Sequence, residues 1–310
     1  MTSPSRRVYE RAPSTVPAWV RGVTQARKPQ GPLPTEPTQH LEMLPQMADL
    51  QLLARYRRLC GFVDSPWLPL TFPQVMASPL HLIMVTDPQF PVPALGLVHV
   101  ANRIDQRQPI RAEDPLHLAC HFEPARQSHR GIEFDLVTQA SVHGEVVWRS
   151  VFTMLARRPV QSEAIAPQAP PQEGQLPDQG PQQAAQPALL RSTLLRVPED
   201  TGRRYAAISG DLNPIHLHAA TARLFGFPKA IAHGMWSLAR TLAECEDDLP
   251  RSPLVVEARF RKPILLPAKL LLTAQREPLG LHMELRSIDA SRSHLSVFAS
   301  PYTAGPRNAP

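Results

Sequence analysis

Tyr205-Ala-Ala-Ile-Ser-Gly-Asp-Leu-Asn-Pro-Ile-His216, followed by Phe227-Pro-Lys-Ala-Ile-Ala-His-Gly-Met235, carries most of what this 310-residue sequence says about fold and chemistry. Asp211 and His216 stand five residues apart around Asn213-Pro214. Proline fixes φ and asparagine tolerates unusual dihedrals, so a turn there can bring carboxylate and imidazole into one small volume. Such a pair can share a water and move its proton near neutral pH. Gly210 is expected to let the backbone approach closely. The plainer alternative is an aspartate capping the helix after Pro214 and a histidine satisfied in a core. His233-Gly234-Met235 opens a second apolar run. If Gly234 lies in the first turn of a helix, its N–H has no intrahelical acceptor. Backed by the helix dipole, that donor can bind a thioester carbonyl oxygen as it gains charge. A glycine kept for tight packing is the alternative. His233 is given no proton-transfer role.

A weaker copy of this layout lies upstream. Tyr56-Arg-Arg-Leu-Cys-Gly61 matches Tyr205 to Gly210, and Phe72-Pro-Gln-Val-Met-Ala-Ser-Pro-Leu80 matches Phe227 to Met235. Ile104 to Ile110 resembles Phe260-Arg-Lys-Pro-Ile264, and Ser150-Val-Phe152 matches Ser296-Val-Phe298. Four matches in one order, with similar spacing, argue for an internal duplication of domain size. The first copy has lost the chemistry. Phe62 stands in the place of Asp211, Trp67 in that of His216, and Ser78-Pro79 in that of His233-Gly234. Proline has no N–H to offer an oxyanion. The first copy is therefore read as structural. Either it makes room for part of a ligand across the interface between the copies, or Phe62 and Trp67 simply fill the former site.

A segment dominated by Pro, Gln, Ala and Gly separates the copies. It holds almost no large apolar residue and is expected to be a mobile linker. This divides the chain into 1–158, a linker at 159–189, and 190–310. The Pro-rich start, at least residues 1–18, is expected to be loosely held. Each copy reads helix first and strands later. Asp49 is a candidate N-cap for a helix running to Cys60. Residues 78–86 and 233–245 are apolar enough for buried helices. Apolar or alternating runs follow at Leu95–Ile104, Pro115–Phe122, Gly131–Val142 and Val146–Ala156, then at Leu254–Phe260, Leu270–Gln275, Met283–Ile288 and Leu295–Ala299. That pattern suggests an antiparallel sheet wrapped around a long apolar helix, with two such units pairing their edges.

Bulk properties narrow the function. Apolar residues make up 43%, enough for sizeable cores. The three cysteines, Cys60, Cys120 and Cys245, show no metal or disulfide spacing. Neither a signal peptide nor a run of about 18 apolar residues is found. A cytoplasmic protein outside the membrane is expected. The net charge of +6 comes mostly from scattered arginine, with no nucleic-acid-binding signature. Arg259, Arg261 and Lys262 cluster beside Pro263. Alternation would put the two arginines on one face and Lys262 on the other. They are candidates for coenzyme phosphates or an acidic carrier protein, the alternative being a charged, solvated strand edge.

Ser-Gly-Asp-x-Asn-Pro-Ile-His, with Ala222 six residues on, resembles the signature of MaoC-like dehydratases, the (R)-specific enoyl-CoA hydratases of the hot-dog fold. The Ile-Ala-His-Gly-Met string and Phe260-Arg-Lys-Pro-Ile264 match as well. The first half is similar to the degenerate N-terminal repeat of double-hot-dog members. The resemblance implies an α+β fold of two tandem hot-dog domains forming a pseudo-dimer. It implies reversible addition of water to trans-2-enoyl thioesters, giving (3R)-3-hydroxyacyl thioesters. Carried over by position, Asp211 and His216 hold and activate the water and the Gly234 N–H forms the oxyanion hole. Tyr205, Asn213, His233 and Met235 are assigned to substrate binding with Arg259, Arg261 and Lys262. No metal or redox cofactor is expected, since the thioester acidifies its own α-carbon. Coenzyme A or phosphopantetheine arrives on the substrate, as acyl-CoA or acyl carrier protein. Some members support the aspartate with a hydroxyl about two turns into the central helix. Here Leu242 falls near that place, with Ser237 and Thr241 as substitutes. A hot-dog thioesterase and a non-catalytic acyl-binding subunit are the competing readings. A monomeric pseudo-dimer and a homodimer are both compatible with the duplication.

Overall fold

The computed structural model describes residues 5–24, 39–157 and 188–302. The first half runs β1 (Ser5–Tyr9), α1 (Val16–Thr24), β2 (Gln39–Gln46), α2 (Leu50–Cys60), α3 (Phe72–Val85), β3 (Leu97–Gln106), β4 (Leu116–Phe122), β5 (Arg126–Ser128), β6 (Gly131–Val142) and β7 (Glu145–Arg157). The second runs β8 (Ala188–Val197), α4 (Thr201–Ser209), a 3-10 turn at Pro214–His216, α5 (Ala219–Arg223) and α6 (Gly234–Glu244). It closes with a 3-10 turn at Glu246–Asp248, β9 (Leu254–Phe260), β10 (Ala268–Glu277), β11 (Gly280–Ser287) and β12 (Ser293–Pro301). The linker expected at 159–189 lies outside the described residues as far as 187.

The strands form one sheet in the order β1-β2-β4-β6-β7-β3-β9-β12-β11-β10-β8, with β5 beside β6. Outward from the β3–β9 junction, one half reads β3-β7-β6-β4-β2 and the other β9-β12-β11-β10-β8. Counterpart strands of the two copies occupy counterpart places, so the duplication seen in the sequence is a duplication of topology. The two units pair antiparallel edges, from Ala101 opposite Arg259 to Gln106 opposite Leu254. Arg103 Nη1 meets Glu257 Oε1 at 2.7 Å across that seam. Edge pairing consumes the backbone donors and acceptors that each lone unit would leave open. The fold is a double hot dog.

Helix signals in the two copies agree. Asp49 caps α2 by accepting from the N–H groups of Gln51 and Leu52 at 2.9 and 3.1 Å. Gly61 ends α2 at φ +87° and Gly210 ends α4 at φ +72°. Both need the left-handed region that glycine enters cheaply. A Cβ at Gly210 would come no nearer than 3.9 Å to Ser78 Oγ. Close approach is therefore not the reason for Gly210; its φ is.

The central helices differ. α6 begins at Gly234 as expected, whereas α3 begins at Phe72, six residues ahead of the expected 78–86 helix. Phe72-Pro73 sits at the helix start, where proline's missing N–H costs nothing. Pro79 then lies inside α3 and cannot donate to the carbonyl of Val75. Ser78 Oγ donates to that carbonyl instead, at 2.8 Å. What is a loop before α6 has thus become helix in the first copy, and the helix-start donor is gone.

The N-terminal segment is ordered where looseness was expected. β1 pairs parallel with β2, and Arg6 Nε lies 2.7 Å from Glu42 Oε1. Ala18 is buried in α1, and Trp19 Nε1 donates to the Gly210 carbonyl at 3.1 Å. Those long-range contacts hold a segment that local composition does not.

Candidate active site

A cavity of about 740 Å³ lies between the two halves. Tyr205, Asp211, Asn213, His216, His233, Gly234, Met235, Arg261 and Lys262 line it, so nine of the ten expected site residues come together. Arg259 does not. It is exposed on β9, on the face opposite inward-pointing Phe260 and Ala258. The strand ends at Phe260, so the expected alternation of Arg259, Arg261 and Lys262 fails. Arg261 and Lys262 instead both reach the cavity from the turn beyond it. Their backbone is pinned to β12, with Arg261 N donating to the His294 carbonyl at 3.0 Å and His294 Nδ1 to that of Lys262 at 3.1 Å.

The 205–216 stretch folds locally around its own polar groups. Asp211 Oδ1 accepts from Asn213 N at 3.1 Å. Asn213, not Asp211, caps the following turn, its Oδ1 taking the N–H of Ile215 at 3.4 Å. Pro214 starts that turn and His216 ends it. The Ile231 strand segment locks the result: Ile231 N donates to Ile215 O at 3.0 Å, and His216 Nδ1 donates to Ile231 O at 2.8 Å. A carbonyl only accepts, so His216 carries its hydrogen on Nδ1 and offers the Nε2 lone pair. Burial pushes the His216 imidazole below its ordinary value, with Asp211 opposing that shift. At neutral pH it is an uncharged base.

His233 serves as a support. Its ring stacks on His216 with centroids 3.7 Å apart, and Tyr205 packs against it at 4.9 Å. His233 Nε2 donates to the Asp211 carbonyl at 3.1 Å, while Nδ1 is buried without a partner. Burial, reinforced by His216, drives the imidazole down to about 3. One carboxylate oxygen of Asp211 and one ring nitrogen from each histidine lie within 4.8 Å of one another. As a metal-ligand set the trio is poor, because the His233 nitrogen facing Asp211 carries a hydrogen. As a water site it suits Asp211 and His216 Nε2. The Asp211 side chain is about half exposed, so water can reach it.

Gly234 is the first residue of α6, and its N–H has no intrahelical acceptor. Packing requires glycine there as well. A Cβ would stand 3.0 Å from His99 Nδ1 and 3.1 Å from Phe260 Cε1. Gly234 thus combines tight packing with a helix-start N–H that has no intrahelical acceptor. Neither Ser237 nor Thr241 supports Asp211 with its hydroxyl. Ser237 Oγ donates to the His233 carbonyl at 3.1 Å, Thr241 Oγ1 is buried without a partner, and Leu242 is in the core.

The first half supplies much of the cavity wall. Gln74, Val75, Ser78, His81, Leu82 and Val85 come from α3, and His99, Phe152 and Met154 from β3 and β7. Phe62 and Trp67 take no part. Phe62 stacks on Tyr56 at 6.1 Å, and Trp67 is exposed beneath Arg111 at 5.4 Å. The former site is filled by Phe62 while a separate space opens along α3. Sequence reasoning missed His99 and Phe152, single residues in apolar strands. It also missed Gly202, where a Cβ would meet the His216 carbonyl oxygen at 2.1 Å. A glycine in the first turn of a helix was its only signal.

Comparison with known proteins identifies the family. A MaoC-like domain is matched over residues 174–294. The chain is 36% identical over 245 residues to 3-hydroxyacyl-thioester dehydratase X of Mycobacterium tuberculosis, covering 79% of this chain and 83% of that protein. A crystal structure of HtdX from the same organism superposes with a TM-score of 0.71 at 31% identity, covering 86% of this chain and all of that one. Another M. tuberculosis protein, described as having a double hot-dog fold, shares the architecture at 15% identity and a TM-score of 0.53, covering 87% and 98% of the two chains. The chain belongs to the family of MaoC-like dehydratases.

Proposed function

We propose that this protein is a hydro-lyase that adds water reversibly to trans-2-enoyl thioesters, forming (3R)-3-hydroxyacyl thioesters. One observation carries the reading. A carboxylate, an imidazole Nε2 lone pair and a free helix-start N–H line one cavity. The thioester oxygen accepts from Gly234 N–H, where the α6 dipole stabilises the negative charge that develops on it. Asp211 and His216 hold the water between them. Its oxygen bonds to C3 while the proton it releases passes through the pair to C2, so nothing is consumed besides water. Coenzyme A or phosphopantetheine arrives on the substrate, and Arg261 and Lys262, which line the cavity, are assigned to its phosphates. The space along α3, lined by Leu82, Val85 and Met154, takes the acyl tail.

The test follows ultraviolet loss of the enoyl-thioester chromophore with crotonyl-CoA and a medium-chain trans-2-enoyl-CoA. Thiol release is measured in the same samples. Loss of the chromophore without thiol release, reduced at least ~100-fold in Asp211→Asn and His216→Ala, is the expected result. Stoichiometric thiol release would make the protein a thioesterase. Inactivity on coenzyme A and carrier-protein thioesters alike would favour a binding subunit.

A further inference from the structure

His99 belongs to the half that has lost its acid–base residues, yet its ring lies against Gly234. It stacks on Phe152 at a centroid distance of 3.6 Å and meets the tilted ring of Phe260 at 4.3 Å. Its Nε2 sits 2.9 Å from the Ala101 carbonyl and must carry the hydrogen. Nδ1 is therefore an acceptor with a fixed direction. It receives no hydrogen bond from any described residue. His99 is one of the residues that line the cavity, and a Cβ at Gly234 would stand 3.0 Å from this nitrogen.

An acceptor in that place needs a donor. It cannot assist an oxyanion, because its lone pair would repel the oxygen bound at Gly234. An enoyl chain offers only C–H groups there. The reacting water belongs to Asp211 and His216. The remaining donor near a coenzyme A or phosphopantetheine thioester is the amide N–H of the arm, two carbons from the sulfur. Placement agrees. One face of the His99 ring touches Phe260, whose next residues are the cations Arg261 and Lys262. The ring also stacks on Phe152, which lines the cavity with His81, the two rings 6.5 Å apart.

We infer that His99 is a positioning residue supplied by the silent repeat, and that its Nδ1 accepts the first amide N–H of the carrier arm. The inference rests on the thioester reading above. It gives the first half a part in setting the thioester against Gly234, beyond filling space. It also makes the site specific for thioesters of amide-bearing thiols.

The test is calorimetric binding of saturated octanoyl thioesters of N-acetylcysteamine and of N-acetyl-N-methylcysteamine, which lacks the N–H. Wild type should bind the first about tenfold or more tightly, as expected for leaving a buried acceptor without its donor. In His99→Phe, which keeps the ring stack, the two ligands should bind within about twofold of each other by the same reasoning. A preference that persists in His99→Phe would reflect bulk alone and overturn the inference. So would equal binding by wild type, which settles the matter even if the variant fails to fold. Turnover of the matching enoyl esters is measured separately. Discrimination in binding without turnover would sink the hydratase reading and keep His99 in place; turnover without discrimination would do the reverse.

Discussion

The His216 tautomer is set by one backbone carbonyl, and much of the chemistry follows from it. With Nδ1–H given to Ile231 O, Nε2 is left as the base for the proposed reaction. That base works only while uncharged. Burial lowers its pKa, so kcat/KM should hold steady at neutral pH and fall on the acid side with a midpoint below the ordinary histidine value of about 6.5. A pH–rate profile with its acid limb centred above 6.5 would contradict this assignment. Gly234 makes a second prediction at the same scale. Gly234→Ala keeps the oxyanion N–H and improves helix propensity, yet its methyl would press on His99 Nδ1 and Phe260. The first turn of α6 must then shift by tenths of an ångström. We expect kcat/KM to drop about 10–100-fold, because misplaced donors lose transition-state contact. The unfolding midpoint should change little. Steady-state kinetics beside thermal unfolding would separate the two effects.

Two glycines of one helix show how elements hold the site for unlike reasons. Gly202 lets α4 lie on the His216 carbonyl, with 2.1 Å where a Cβ would be, while Gly210 supplies only a left-handed φ. Gly202→Ala should therefore cost about 1–3 kcal/mol by overpacking and displace His216, lowering activity further than stability. Gly210→Ala should cost about 1–2 kcal/mol from backbone strain alone. Denaturant unfolding with parallel assays distinguishes them; equal losses of activity would refute the difference. Ser78 makes a further case. Ser78→Ala removes the hydroxyl that serves Val75 O and should destabilise by about 1 kcal/mol, but by nearly nothing once Pro79→Ala restores the backbone donor. A double-mutant cycle without coupling would show that Ser78 does not serve that carbonyl.

The same elements show what was legible in the sequence. The Asp49 cap, the paired Tyr-to-Gly helices, the start of α6 and most strands follow from local signals, and the duplication exposed the topology. The start of α3 was hidden because the matching stretch before α6 carries no helix signal, and only the structure shows Ser78 standing in for the donor that Pro79 lacks. α1 and β1 were hidden because what orders them, Trp19 on Gly210 and Arg6 on Glu42, lies far away in sequence. The Asp211–His216 pair was legible because both residues lie in one short stretch around Asn213-Pro214. His99 was not, since it reaches Gly234 across the seam between the halves.

At the scale of the molecule, both halves send neutral imidazoles toward one cavity. His81 and His99 from the first and His233 from the second are each held down at about 3, chiefly by burial, and His216 is lowered as well. Unfolding frees them to titrate near 6.5. Below that pH the unfolded chain binds protons that the folded chain refuses, so stability present above about 6.5 drains away as pH falls. The three strongly shifted groups together imply a slope approaching about 4 kcal/mol per pH unit once their unfolded forms are protonated. A domain of ordinary stability, about 5–15 kcal/mol, would not survive to pH 3 on such a slope. Urea unfolding at stepped pH should show a nearly level plateau above 7 and a steep loss between about 6 and 4 on this account. His81→Phe should make the slope shallower by about one proton, at the loss of the bond to Thr138 Oγ1 at 2.8 Å and the longer one between Nδ1 and Gln74 Nε2 at 3.5 Å. Stability that stays level from pH 7 down to 5 would mean these imidazoles are charged inside the fold. His216 would then not be the neutral base that the proposed reaction requires.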